Sequence, residues 1–412
     1  MKRYLFLFAL TFFAVGSYTV FAQDAPSVFR LGIIGTDTSH VPAFVGCFND
    51  PKAEGLYKKY EITGAYKGGM PDNASSWDRV EKYATEISGK GVKIYSQLPE
   101  LLANVDGILL EDVDGRPHWE FARQVIDAGK PLFIDKPMAG NLIDALDIFR
   151  LAEAKNIPVF SASSLRYSQG MQTIRNNSPL GDTQGVVAWS PCSLHETHPD
   201  FYWYGIHGVE TLFTMMGAGC VSVSRTTSPD CDVAVGLWSD GRIGSFRGIR
   251  KGNSGYGAYV FGSKAKAEAG KYDGYKPLCD QICQFFENGK PEFDRQETIE
   301  ILAFMTAADV SKKLDGKHVK LADVIDWAKN AATKTFVLKA QPDGTFLLNG
   351  EPLDRAQIKD RVALDGAESD PLSMYKAINR VIIYKAPTVE QSVIDEIIAN
   401  LGSASFAGYY YE

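Results

Sequence analysis

Cysteine is sparse in this chain and sits in no metal-binding pattern. The 412 residues contain six (Cys47, Cys192, Cys220, Cys231, Cys279 and Cys283), with no CxxC pair among them. That excludes a zinc ribbon and a dense disulfide scaffold. Basic charge is also short, with 43 Lys and Arg against 50 Asp and Glu, and the two signs are mixed along the chain. Without a basic stripe, nucleic acid and other polyanions are excluded as partners. Long apolar runs are missing beyond the N-terminus, so the mature chain has no integral membrane segment.

What is present begins with an export signal. Lys2 and Arg3 precede an apolar run from Tyr4 to Val15, and Val20-Phe21-Ala22 supplies small residues at alternate positions for cleavage. The run is shorter than the ~20 residues that span a bilayer. Residues 1–22 therefore read as a signal peptide, with a mature protein starting near Gln23 that is periplasmic or secreted. Export leaves room for one or two disulfides, whose pairing the sequence does not fix. A mature chain of about 390 residues corresponds to two or three domains.

Phe29–Ile34 is a buried-strand pattern ending at Gly35, followed by a polar turn and a helical pattern at Val41, Phe44 and Phe48. Further strands are expected at 62–66, 93–95, 107–110 and 132–134, alternating with helices at 77–87, 98–103 and 118–128. This alternation predicts a parallel sheet with helices on both faces, a Rossmann-type domain over 28–140. From about Val186, short strands separated by Gly, Asp and Ser turns predict an α+β domain over 141–330 with a large, mostly antiparallel sheet. A hairpin around Pro342–Gly344, a strand at 381–384 and an amphipathic helix from Val389 to Leu401 make a small α+β appendage over 335–412. Its order of elements resembles the periplasmic domain of energy-coupling biopolymer-transport proteins.

Gly35 between a strand and a helix is where a dinucleotide fold places pyrophosphate, using the free N–H groups of the helix start. Of the GxGxxG fingerprint only Gly35 is kept, because Asp37 and His40 replace the later glycines. Asp37 puts a carboxylate where phosphate should approach, and the Thr36-Asp37-Thr38-Ser39 turn reads equally as a helix cap. No acid ends the second strand to hold a ribose 2′-hydroxyl; Lys67 stands there, suited to a 2′-phosphate or to solvent. His195, Glu196 and His198 invite a metal reading, but the spacing is not HExxH and Pro199 breaks the helix it would need, so no metal is assigned.

Asp106-Gly-Ile-Leu-Leu, then Arg116-Pro117-His118, then Ala128-Gly-Lys-Pro-Leu-Phe-Ile-Asp135-Lys136-Pro137 are similar in order and spacing to the fourth strand, His-started helix and Glu-Lys-Pro strand of the Gfo/Idh/MocA oxidoreductases. The resemblance continues through Ser163-Ser-Leu-Arg166-Tyr167 and through Trp203-Tyr204-Gly205-Ile-His207-Gly-Val-Glu210, which falls on the family's DxGxHxxD, and it spans 29–321. Asp135 for Glu, Trp203 for the first Asp and Glu210 for the last are departures, and the second puts an acid that tunes or orients the base in doubt.

The resemblance implies NAD as cofactor, with NADP as the alternative, held by Gly35, Thr36, Asp37, Thr38, His40, Lys67, Asp112, His118, Asp135 and Lys136. It implies Lys136 as the ammonium that stabilises a developing alkoxide and His207 as the base, oriented by Glu210 one turn on. Arg166, Tyr167, His198, Trp203, Tyr204 and Glu210 would face the substrate. Aromatic density together with export tilts that substrate towards carbohydrate, and a homo-oligomer is expected. The activity implied is hydride transfer between a nicotinamide and a sugar or glycoside hydroxyl. Two alternatives remain: a cofactor-free carbohydrate-binding protein on the same fold, and nucleotide-assisted glycoside cleavage by oxidation and elimination.

Overall fold

The computed structural model describes residues 28–176, 179–362, 377–401 and 406–411; the signal peptide expected at 1–22 lies outside them. The first sheet is built from β1 (Phe29–Ile34), β2 (Tyr60–Tyr66), β3 (Lys93–Tyr95), β4 (Gly107–Leu110), β5 (Leu132–Asp135) and β6 (Val159–Ala162). Its order is β3-β2-β1-β4-β5-β6 and every pairing is parallel. β4 and β5 are buried along their whole length, so their apolar residues do not alternate with polar ones. Helices α1 (His40–Phe48), α2 (Ala74–Ser88), α3 (Leu98–Asn104), α4 (His118–Asp127) and α5 (Leu142–Lys155) connect the strands. Strand order reverses between β1 and β4, which makes the crevice above their carboxyl ends the place where such sheets take ligands. The sheet runs on to β6, past the boundary expected at 140.

The second sheet joins β7 (Thr183–Pro191), β8 (Cys220–Thr227), β9 (Cys231–Trp238), β10 (Ile243–Ile249), β11 (Gly257–Gly262), β12 (Lys266–Ala269) and β13 (Val319–Lys320) in the order β12-β11-β7-β10-β9-β8-β13. It is antiparallel except for β7 and β10, which pair in parallel. The helices Ile206–Met216 and Arg295–Lys313 pack on it and are buried over most of their residues. Away from that core, Val187, Val221, Leu237, Ile243 and Phe261 are exposed on its strands.

The third sheet, β16-β15-β14-β17-β18, comprises β14 (Ala332–Ala340), β15 (Phe346–Leu348), β16 (Glu351–Leu353), β17 (Ala377–Lys385) and β18 (Phe406–Tyr411). The expected hairpin is β14–β15, and the helix Gln391–Leu401 buries Ile394, Ile397, Ile398 and Leu401 against the sheet. β18, placed in parallel beside β17, had no counterpart in the sequence reading. This unit is anchored to the first domain. Met70 lies within its core with Trp77 packed against it, and Arg380 reaches Asp144 and Asp147 and stacks on Trp119.

Candidate functional site

The turn after β1 takes its shape from Gly35, whose φ is +89°. A Cβ there would come within 2.4 Å of the Asp112 backbone nitrogen, so no larger residue fits. The chain is then tied to the end of β2, because Gly35 N–H donates to Tyr66 O at 3.0 Å and Thr36 N–H to Lys67 O at 2.7 Å. Asp37 turns its carboxylate into the protein, where Ser76 Oγ–H donates to Oδ2 at 2.5 Å and Val113 N–H to Oδ1 at 3.0 Å. Burial nevertheless raises its pKa to about 6, against the pull of those hydrogen bonds. With the carboxylate directed there, the backbone N–H groups of Asp37, Thr38 and Ser39 donate to no described residue, and the Ser39 side chain does not cap α1. An open, uncapped helix start behind a turn glycine fits the pyrophosphate of a dinucleotide.

The loop after β4 faces this turn. Asp112 Oδ1 accepts from Gly69 N–H at 2.7 Å, while its other oxygen is buried without a partner. His118 is fully buried at the start of α4 and lies between two carbonyls, Asp112 O at 2.9 Å and Met138 O at 3.2 Å. It fastens the β4 loop to the β5 loop, and burial lowers its pKa. Asp114 is the centre of a clamp between the domains: it accepts from Arg116, from Asn73 and from His198 Nε2 at 3.0 Å, and Arg116 continues to Asp72. Burial raises the Asp114 pKa, but Arg116 first and then the hydrogen-bonded His198 outweigh it and hold the carboxyl well below its ordinary range. Lys67, by contrast, points to the surface and bonds Glu81 at 2.7 Å.

Between the turn and the clamp lies a dense group of charges. Glu111, Asp135 and His40 are buried, with Glu111 and Asp135 fully excluded from solvent. Burial, reinforced by Asp135, raises the Glu111 pKa well above its ordinary value. Asp135 meets the same desolvation, but the charges of His40 and Lys136 outweigh it and hold its carboxyl below the usual range. Lys136 is 8% exposed, with Nζ 3.8 Å from Asp135 Oδ2, and it joins Ser161 and Glu210 in lining a small cavity against the second domain.

His207 enters from that second domain. Its Nδ1 is 3.3 Å from Ser163 Oγ, and its ring contacts Tyr204 and Tyr256. Burial first, then the charge of Lys136, hold the imidazole well below its usual pKa, with Asp135 acting the other way. It is thus neutral at pH 7, and it shares one electrostatic environment with Lys136 and Asp135. Tyr272 and Tyr275 add further rings, Tyr275 lying 4.5 Å from the His40 ring.

Several residues expected to face a substrate are engaged elsewhere. Arg166 is fully buried and donates to Glu210 at 2.9 Å and Glu297 at 2.6 Å, above the Phe293 ring. Glu210 accepts from Ser163 N–H and Arg166, so Ser163, and not Glu210, is what His207 meets. Tyr167 is buried and donates to Glu292. Trp203 packs on His195 and His198, whose own nitrogen is taken by Asp114. Only Tyr204 of this group stands beside His207. Glu111, Tyr256, Tyr272 and Tyr275 were not anticipated. For Glu111 a signal existed, because it is the first residue after the apolar β4 run, at the strand end where such sheets bind ligands. The tyrosines lie in loops far along the chain and carry no local pattern.

Residues 29–163 match the sequence model of the Gfo/Idh/MocA oxidoreductases, described as an oxidoreductase family with an NAD-binding Rossmann fold. An uncharacterized oxidoreductase of Schizosaccharomyces pombe is 26% identical over 164 residues, which is 37% of this chain and 39% of that protein. The uncharacterized oxidoreductase YhhX of Escherichia coli is 25% identical over 136 residues, 30% of this chain and 39% of YhhX. The alignments thus span about two fifths of these curated relatives. Among solved structures, the myo-inositol dehydrogenase of Lactobacillus casei, in complex with NAD(H) and myo-inositol, superposes with a TM-score of 0.56 at 15% identity over 71% of this chain and 96% of that one. The WlbA dehydrogenase of Bordetella pertussis, in complex with NADH and UDP-GlcNAcA, gives 0.56 at 18% identity over 71% and 98%. The parallel strand order and the Gly35 turn agree with the sequence match over 29–163, so these residues resemble the NAD-binding Rossmann domain of the Gfo/Idh/MocA oxidoreductases.

Proposed function

We propose that the protein is an exported, NAD-dependent oxidoreductase that interconverts a secondary hydroxyl and a ketone on a sugar or glycoside. The observation that carries this reading is that the charge of buried Lys136, at the strand end, reaches His207 of the second domain and, after burial, helps to keep that imidazole neutral. The nicotinamide, when bound, supplies the hydride acceptor. The free N–H groups of Asp37, Thr38 and Ser39, behind the Gly35 turn, would hold its pyrophosphate, while the Asp37 carboxylate stays turned towards Ser76. His207, with Nδ1 at Ser163, takes the hydroxyl proton on its other nitrogen. Lys136 Nζ donates to the same oxygen as negative charge grows there.

The tyrosines Tyr204, Tyr256, Tyr272 and Tyr275 support a polyhydroxylated, ring-shaped substrate, since aromatic faces pack on the apolar faces of sugar rings. That the two solved neighbours hold an inositol and a nucleotide sugar agrees with this choice. Lys67 is paired with Glu81, which favours NAD over NADP. The exposed apolar residues of the second sheet support a homo-oligomer formed through that face.

The test is nicotinamide reduction by purified protein on a panel of inositols, hexoses and glycosides. Turnover on one member, reduced by about 10²–10⁴-fold in His207→Gln, is the expected result. Absence of bound nucleotide together with absence of reduction on every member overturns it. One observation favours a second reading, a cofactor-free carbohydrate-binding protein: Asp37, Glu111, Asp112 and Asp135 are four buried carboxylates beside the phosphate path. Stabilisation by a sugar without any response to nucleotide would select it. Product analysis showing cleavage, not ketone, would select the oxidation and elimination route.

A further inference from the structure

The group His40, Glu111 and Asp135 is unlike an ordinary buried ion pair. His40 Nδ1 lies 2.9 Å from Asp135 Oδ2 and 4.0 Å from Glu111 Oε2. Yet Nδ1, both Glu111 oxygens and both Asp135 oxygens make no hydrogen bond, although all are shielded from solvent. The 2.9 Å contact thus has the length of a hydrogen bond from the imidazole to the carboxylate but not its angle. A buried polar group without a partner is costly, and Glu111 has neither oxygen paired.

The spacing itself has a simple interpretation. Around a divalent ion with bonds of about 2.1 Å, neighbouring ligands at right angles lie about 3.0 Å apart and opposed ligands about 4.2 Å apart. One ligand atom from each of these three residues falls within 4.8 Å of the others. Charge argues in the same direction. The acids Glu111, Asp112 and Asp135 carry buried oxygens without a partner here, while Lys136, 3.8 Å from Asp135, is the lysine beside them.

The geometry points to a divalent-cation site at the carboxyl ends of β1, β4 and β5, with His40 Nδ1, Glu111 and Asp135 as its protein ligands. One imidazole and two carboxylates suit manganese, iron or zinc better than magnesium or calcium, because imidazole nitrogen is the softer donor. Three protein ligands leave coordination positions for water or a substrate oxygen. The side chains that orient the set are in place. The Tyr275 ring packs against His40 at a tilt of 53°, and α1 fixes that residue at its first position. The site stands on these atoms alone and does not depend on the identity of the organic substrate.

The experiment is calorimetric titration of EDTA-treated, full-length protein with Mn²⁺ and Zn²⁺, with thermal unfolding measured on the same samples. Saturable binding of one ion per chain, weakened more than about tenfold in His40→Ala and in Glu111→Gln but unchanged in the surface variant Lys67→Ala, supports the site. Absence of saturable binding overturns it, as does binding that both variants retain. Glu111→Gln keeps the shape of the side chain, so its unfolding in EDTA reports whether the fold survives. A rise in that variant's melting temperature without any metal response means that Glu111 sits protonated, and it also overturns the proposal. Nicotinamide binding, followed separately, keeps this outcome distinct from the fate of the redox reading.

Discussion

Buried charge is handled in opposite ways in two parts of this molecule. In the second domain Arg225 is fully buried beneath the sheet, and each of its nitrogens donates to an acid: Nε to Asp232, Nη1 to Asp309 and Nη2 to Asp200, with Phe201 under the guanidinium. Those acids have further cations of their own, since Arg250 reaches Asp232 and Lys312 reaches Asp200. At the ends of β1, β4 and β5, by contrast, oxygens of Glu111, Asp112 and Asp135 are buried and unpaired. A closed network holds two layers together. An open one leaves oxygens that a ligand would satisfy, which is the difference expected between scaffold and site.

The comparison breaks most visibly at Arg225. Arg225→Met leaves Asp232 and Asp309 buried without their shared partner, and a loss of about 3–5 kcal/mol in urea unfolding is expected. A loss below about 1 kcal/mol would mean that the cluster is no more demanding than a surface pair. Lys136→Met probes the other side. It removes a charge beside unsatisfied acids, so turnover should fall about 10²-fold, near 2.7 kcal/mol in barrier, while the melting temperature changes little. Equal loss of stability and turnover would make Lys136 part of the scaffold.

Asp37 sharpens the contrast through pH. Its folded pKa of about 6 lies above the ordinary 3.8, so the folded state binds the proton more tightly than the unfolded chain. The stability from this group is complete below pH 3.8 and is lost as pH rises to about 6, with a slope no steeper than about 1.4 kcal/mol per pH unit. Asp37→Asn should flatten that part of the curve measured by chemical denaturation. The smallest effect belongs to Lys67→Ala, which removes only an exposed pair with Glu81 and should shift stability by less than about 0.5 kcal/mol. If the same change weakened NADH binding severalfold, Lys67 would have to be returned to the cofactor.

The first domain could be read from sequence because its strands are short apolar runs between helical patterns; β3 and β4 were placed at the residues they occupy, 93–95 and 107–110. The second sheet was recognised through its alternation and turns, but alternation is the same for parallel and antiparallel partners, and the parallel pairing of β7 with β10 left no local mark. β18 lies beyond the last amphipathic helix, where Gly402-Ser403 and the aromatic run Tyr409-Tyr410-Tyr411 offered a turn-and-strand signal that the sequence reading left unused. In the candidate site, Lys136 and His207 were singled out through order and spacing alone. The partners of Arg166, Glu210 and His198 were not, because Glu297, Ser163 and Asp114 lie tens of residues away in sequence and meet them only after folding. The open valences at Glu111 and Asp135 depend on what fails to arrive beside them, and a sequence pattern carries no record of that.

The claim beneath all of this is that the crevice above Gly35 holds a dinucleotide. NADH fluorescence titration of the purified chain beside Gly35→Ala tests it directly, since a methyl group there would collide with Asp112. Saturable enhancement in the parent protein and its loss in the variant is the predicted pair of curves. A flat parent curve, with or without added divalent cation, or identical saturation in both proteins, would contradict it.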